Sequence, residues 1–549
     1  MADRSDLVSP YYLSLEGEVV PSELAEAVVG VTVETSLQLP AMAEVVIEDT
    51  ALRWIDDDRL MPGAALRVTA SVRGGEALLF DGEVVELEPR FDASTQTLSL
   101  RAFDRMHRLG IGAAVRTFQD VTDGDLLERL AAEAGLRGEA AQARGVHAHV
   151  FQAAESSLAL LRRRARARGW LLWAEGETVR MTPAEGRGAP LRLAWQEDLL
   201  AFSPRLTSLE QVAEVEVRGW DAASKRAVVG RAGGGEASPR IGLRADGGDL
   251  ASTLLGGEAR RVVPAPSIDT EAGAERMARA EAERAASRFV EAEGLAAGSP
   301  YLVAGRLAEI ANVGDRFGGT YLVTSARHEL THADGYTTAF SVTGLGLPAL
   351  LVAPDDAPPP AFGRAGLAVG IVTDNADPEG LGRVRVRYPV LSDAHASGWA
   401  RLAVPGGGAG RGLMVVPEVE DEVVVGFVGG DLGQPYVLGG LWNGVDAPPG
   451  GAVEGGKVRH RALRTRAGHA VSLDDGSPGG ITISDAKGNA IALDASTDGL
   501  TISVAGDVAI EAGGALSLRA GGAVTLEGAR VGVKGQASVD VEGGVINLN

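Results

Sequence analysis

Residues 506–549 read GDVAIEAGGALSLRAGGAVTLEGARVGVKGQASVDVEGGVINLN, and no other stretch restricts the possible fold as tightly. Aliphatic side chains recur in pairs two apart: Val508 with Ile510, Leu516 with Leu518, Val524 with Leu526, Val531 with Val533, Val539 with Val541, and Ile546 with Leu548. Successive pairs are 8, 8, 7, 8 and 7 residues apart. Alternation with period two gives a strand one apolar face. A fixed step with glycine at the corners is the signature of a repeating β coil. Upstream, Val471/Leu473, Ile481/Ile483, Ile491/Leu493 and Leu500/Ile502 continue the pattern with longer loops between pairs.

Each coil offers only two aliphatics to a core, and a lone ribbon leaves its strand edges unpaired. Two arrangements solve both problems. One is a single-chain β-solenoid, which needs longer coils. The other winds three chains together, so that the pairs from Val508 to Val541 meet on a threefold axis and each edge is paired by a neighbour. The short step favours the second, a stiff prism. Strict periodicity opposes reading the tail as a disordered Gly/Ala segment.

Composition supports a mainly β protein. The 549 residues allow several domains, and 74 glycines with only 5% aromatics suit short strands and tight turns. A net charge of −22 opposes nucleic-acid binding, which needs positive surface. With no cysteine, disulfides and thiolate chemistry are excluded. The N-terminus shows no basic start with an apolar core, and no apolar run is long enough for a membrane span, so synthesis in the cytoplasm is expected.

After the Pro-rich stretch APDDAPPPAFG at 353–363, five short strands are expected at 367–373, 382–388, 398–404, 421–428 and 435–441, the count of an OB-type barrel. Here GRVRVRYP, WARLAVP and VPEVEDEVVVGFVGGDLGQPYVLGGLWN resemble, block by block, the OB domain of the VgrG/phage gp5-like spike proteins of contractile tails and secretion systems. Residues 1–350 also resemble the hub of that family, the gp27-like or late-control D-like region. The carrying motifs are RTFQDVTDGDLLERLAAEAGL at 116–136 and VFQAAESSLALLRRRARARGWLLWAEG at 150–176. In the first, Asp123 is the expected helix N-cap; in the second, a helix starts at Ser156 or Ser157 and stops at Gly169. DTEAGAERMARAEAERAASRFVEAEG at 269–294 reads as the longest helix, and 230–250 as a mobile loop.

The resemblance implies a homotrimer whose hub holds two similar β-barrels per chain. Six similar faces would then meet a hexameric inner tube protein. It also implies baseplate partners, and a small PAAR-like tip protein at Ile546, Asn547, Leu548 and Asn549. The implied action is mechanical piercing of a target membrane by a phage-tail-like particle acting outside the cell, without catalysis or cofactor. The expected layout is a gp27-like hub at 1–350, a linker at 351–365, a gp5-like OB-fold at 366–446, a neck at 447–470 and a triple-stranded intertwined β-helix needle at 471–549.

Some motifs suggest chemistry instead. His328, Glu329 and His332 spell HELTH, which would bind zinc if both histidines shared a helix face. The surroundings read as two strands joined by Ala-Asp-Gly, and on a strand residues four apart lie about 13 Å from each other. A zinc hydrolase on the spike is therefore the disfavoured alternative, as is a glycan-binding β-solenoid fibre. GAVEGGKV at 451–458 lacks the Ser/Thr of a P-loop and reads as a flexible hinge. His147 and His149 read as a surface loop. Arg162, Arg163, Arg164, Arg166 and Arg168 read as a solvated helix face, with an acidic partner as the alternative.

Overall fold

The computed structural model describes residues 11–72, 75–93, 95–141, 145–234, 239–265, 267–331, 335–345 and 366–547. His332, the Pro-rich stretch, Leu548 and Asn549 lie outside them. Two compact units are present, Met1–Leu441 and Trp442–Asn549. No helix is long and apolar enough to cross a membrane among the described residues.

In the first unit an eleven-stranded sheet joins two lobes. An N-terminal set runs from Tyr11–Leu15 to Gln96–Asp104, with buried residues alternating along each strand: Val31 and Val33; Ala43, Val45 and Ile47; Leu98, Leu100 and Ala102. A second set contains Leu199–Leu206, Val290–Ala297, Ser325–Thr331 and Gly335–Val342. The seam is Ser325–Thr331, antiparallel to Val28–Ser36 from Ser325↔Ser36 to Thr331↔Gly30. Its inward residues serve two cores. Ala326 packs in that of the second lobe, Leu330 in that of the first, and His328 lies between them in the strand.

Among the described residues five α-helices accompany the sheets: α1 (Ser22–Ala27), α2 (Asp123–Glu133), α3 (Ser157–Arg168), α4 (Gly247–Leu255) and α5 (Glu271–Ala286). α2 and α3 follow strands Ala114–Val121 and His147–Glu155, which pair antiparallel, and their apolar faces build a core around Leu126, Leu130 and Leu161. The N-cap of α2 is Thr122, one residue before the expected Asp123; Thr122 and Asp125 form a capping box. Ser156 caps α3, and Gly169 ends it at φ 68°. A Cβ at Gly169 would come within 3.2 Å of the Ala280 Cα of α5, so glycine also permits that close helix crossing.

Three further expectations about 1–350 are corrected. α5 ends at Ala286, and Val290–Ala297 is a strand held between Leu199–Leu206 and Gly335–Val342. The expected mobile loop contains the end of strand Arg226–Gly233, the short strand Arg240–Ile241 and the start of α4. His147 and His149 lie on strand His147–Glu155, not on a loop.

Residues 367–440 form a five-stranded sheet from Leu367–Asp374, Arg385–Arg387, Arg401–Leu402, Glu422–Phe427 and Pro435–Gly440, with one strand in each expected segment. Its core, including Val372, Val386, Val423 and Val425, takes in Phe151 and Ala153 from His147–Glu155. Phe151 meets Tyr388 edge-on at 6.2 Å.

In the second unit, Val453–Glu454 and Lys457–Val458 form a small hairpin where a flexible hinge was expected. Its turn, Gly455-Gly456, has φ of 56° and 78°, the two left-handed residues that a tight hairpin requires. Strands His460–Arg464, Ala470–Asp474, Gly480–Ser484, Ala490–Asp494 and Gly499–Ser503 then form an antiparallel meander in chain order. The first of them lies in the segment expected as neck.

Candidate functional site

The meander places its large aliphatics on one face. Leu463 is opposite Val471, Val471 opposite Ile483, Ile483 opposite Ile491, and Ile491 opposite Ile502. Leu473, Ile481, Leu493 and Leu500 form the parallel row. In a soluble sheet such a face is normally buried, yet all nine side chains are exposed in the single chain.

The face continues into 504–547, where the described residues contain no strand and every residue is exposed. The backbone nonetheless repeats. The first members of the pairs, Val508, Leu516, Val524, Val531 and Val539, are 52–61% exposed. The second members, Ile510, Leu518, Leu526, Val533 and Val541, are 69–71% exposed. A disordered segment would scatter these values. The site is therefore a regular ladder of apolar pairs whose aliphatic side chains are exposed and whose backbone forms no strand pairing among the described residues. An exposed apolar surface of this length marks an association site. Ile546 and Asn547 end the described ladder, both exposed.

The residues that suggested chemistry have structural partners. His328 is fully buried, with Nδ1 2.9 Å from Tyr336 Oη and 3.2 Å from Thr338 Oγ1. Glu329 faces the other side of the sheet and pairs with Arg327 at 2.8 Å. Burial pushes His328 down to about 4, the Leu302 backbone drawing slightly the other way. Its contribution to stability is then present above the ordinary value of 6.5 and is lost as pH falls towards 4, about 3 kcal/mol in all. Burial pushes Asp104 up to about 6, so its contribution runs oppositely, being lost as pH rises from 4 to 6. The difference between parent and His328→Gln isolates the histidine. Denaturant melts at pH 7 and pH 4.5 should show the parent losing about 2–3 kcal/mol more than the variant.

The basic run is not a solvated face. Arg164 Nε donates to Asp123 Oδ1 at 2.7 Å, and Arg168 Nε donates to Oδ2. His147 Nε2 lies 3.3 Å from Oδ1, and the Asp123 side chain is wholly buried. Burial alone would push that carboxyl up, but His147, Arg164 and Arg168 hold it well below the usual range. Arg162 is buried too, Arg163 pairs with Glu155 at 2.6 Å, and the Arg166 carbonyl accepts from Arg284. The His149 ring lies against Phe151 and the Gly398 backbone; burial, reinforced by the charge of Arg385, pushes it down.

Three family comparisons cover most of the chain. Residues 5–332 match the Alg8 N-terminal domain. Residues 368–442 match the type VI secretion system/phage-baseplate injector OB domain. Residues 461–548, which hold the meander and the ladder, match the phage baseplate V C-terminal trimerisation domain. Among curated proteins, the type VI secretion system spike protein VgrG3 of Vibrio cholerae is 33% identical over 75 residues, 13% of this chain and 7% of that protein. VgrG2a of Pseudomonas aeruginosa is 35% identical over 72 residues, 12% of this chain and 9% of that protein. These matches thus span under a tenth of the relatives' length. A solved Francisella PdpA–VgrG complex aligns over 90% of this chain and 87% of that one, with TM-score 0.51 and 7% identity, a likeness of fold.

Proposed function

The chain belongs to the VgrG/gp27–gp5-like spike proteins of phage baseplates and type VI secretion systems, and on that premise we propose that three copies form a mechanical piercing device. In this reading residues 1–350 are the hub, with two barrel-like lobes per chain offering six similar faces to a hexameric inner tube protein. After a linker at 351–365, residues 366–446 form a collar that contacts baseplate proteins. A neck at 447–470 leads into the needle at 471–549. Needle stiffness comes from interchain hydrogen bonding that leaves few strand edges open. No side chain has to do chemistry.

The observation that carries this reading is the regular ladder of Val508, Ile510, Leu516, Leu518, Val524, Leu526, Val531, Val533, Val539 and Val541, exposed in one chain. A triple-stranded intertwined β-helix covers those pairs and supplies the strand partners that one chain lacks. At its end, Ile546, Asn547, Leu548 and Asn549 are proposed to seat a PAAR-like tip protein. Sedimentation equilibrium of the purified chain tests the assembly. A mass about three times 56.6 kDa is expected, and a folded monomer at micromolar concentration overturns the proposal.

A further inference from the structure

The aliphatic pairs of the ladder are all Val, Ile or Leu, so they cannot by themselves fix which repeat of one chain lies beside which repeat of another. A second pattern in the same segment does distinguish the repeats. The residue that follows each pair from Val508/Ile510 to Val539/Val541 is Glu511, Arg519, Glu527, Lys534 and Glu542 in turn, so its charge changes sign at every step. Five of the eight charged side chains in residues 506–549 occupy this one position of the repeat. In an extended chain it points to the side opposite the aliphatics. All five side chains are exposed, and none makes an ion pair among the described residues.

Rotation about a threefold axis leaves height along it unchanged, so the three copies of any one repeat stand at the same level. In an intertwined β-helix the strands lie across the axis, each with hydrogen-bonded neighbours about 4.8 Å above and below. Those neighbours are therefore the preceding and following repeats, taken from other chains. Arg519 of one chain then stands between Glu511 and Glu527 of the others, and Lys534 between Glu527 and Glu542. Opposite charges directly across a strand pair are favourable, and like charges are not. A single exposed pair contributes little, but these contacts link five successive levels on each of three faces. Displacing one chain by one repeat keeps aliphatic against aliphatic, yet it sets like charge beside like charge at every level. Resting on the trimeric reading above, we propose that Glu511, Arg519, Glu527, Lys534 and Glu542 form interchain charge columns on the outer faces of the needle, and that these columns hold three copies of the chain in register.

The test compares thermal dissociation of the full-length parent and two variants, followed by light scattering. Arg519→Glu with Glu527→Arg exchanges two neighbouring charges. Composition and net charge stay the same, while half of the contacts between levels become like-charged. Full inversion, by Glu511→Lys, Arg519→Glu, Glu527→Lys, Lys534→Glu and Glu542→Lys, changes every residue of the column and keeps the alternation. At low salt the exchange variant should dissociate about 5 °C below the parent, and the inverted variant within about 1 °C of it. The deficit should shrink in about 1 M sodium chloride, where the screening length falls to about 3 Å. An exchange variant as stable as the parent overturns the columns and leaves the trimer standing. So does an inverted variant that falls as far as the exchange variant, or a deficit that salt does not change. A monomeric parent overturns the trimer and the columns with it.

Discussion

Replacing Leu516 and Leu526 together by aspartate is expected to turn a trimer into a monomer while the hub stays folded. One residue comes from each kind of position in the ladder, the less exposed first member and the more exposed second. On a threefold axis each new carboxylate would face its own symmetry copies, losing apolar burial and gaining like-charge repulsion in a place that excludes water. The cost is of the order of several kcal/mol per site in each chain. The discriminating control is the neighbouring position. Ser517→Asp and Thr525→Asp sit between the members of a pair, so period two turns them outwards. The chain already tolerates Asp540 between Val539 and Val541. Light scattering should therefore report a monomer for the double leucine variant and a trimer for the double control. A trimer in both would remove the ladder from the interface.

This contrast was legible in the sequence because the tail depends on period alone. Alternation and glycine corners need no knowledge of distant residues, and the five barrel segments were likewise bounded by local turns such as Asp-Pro and Gly-Gln-Pro. The misreadings came where distant contacts override local preference. VEAEGLAA at 290–297 is rich in helix formers, yet it is a strand between two others. Gly294 is required there because a Cβ would come within 2.3 Å of the Phe340 ring. HELTH imitates a zinc motif, but its histidine fills the seam between two cores, where Tyr336 and Thr338 occupy its ring nitrogen.

The arginines of α3 show the same limit most sharply. Five basic residues within seven positions look like a wet helix face, and nothing nearby in sequence suggests otherwise. For Arg164 and Arg168 the partner, Asp123, lies 41 and 45 residues earlier. It could be found only by placing α2 beside α3. The signal that was available is Thr122 with Asp125 at the capping-box spacing, which places Asp123 inside the helix as a carboxylate not needed for the cap.

Asp123→Ala should accordingly destabilise the hub more than any single apolar truncation on its surface. The substitution leaves Arg164 and Arg168 facing a buried, empty position beside His147, so repulsion is added to lost pairing. Breaking a buried pair from one side costs about 3–5 kcal/mol. Asp123→Asn keeps size and some hydrogen bonding, and should recover part of the loss but not the charge term. The pH dependence gives an independent reading. Because the folded carboxyl is held below its ordinary value, its stabilisation is complete at neutral pH and is lost only as the solution becomes strongly acidic. Parent and Asp123→Ala should therefore differ most at neutral pH and converge in acid. Chemical denaturation across that range measures the gap. A gap that stays constant with pH would mean that packing, and not the carboxylate charge, holds α2 to α3.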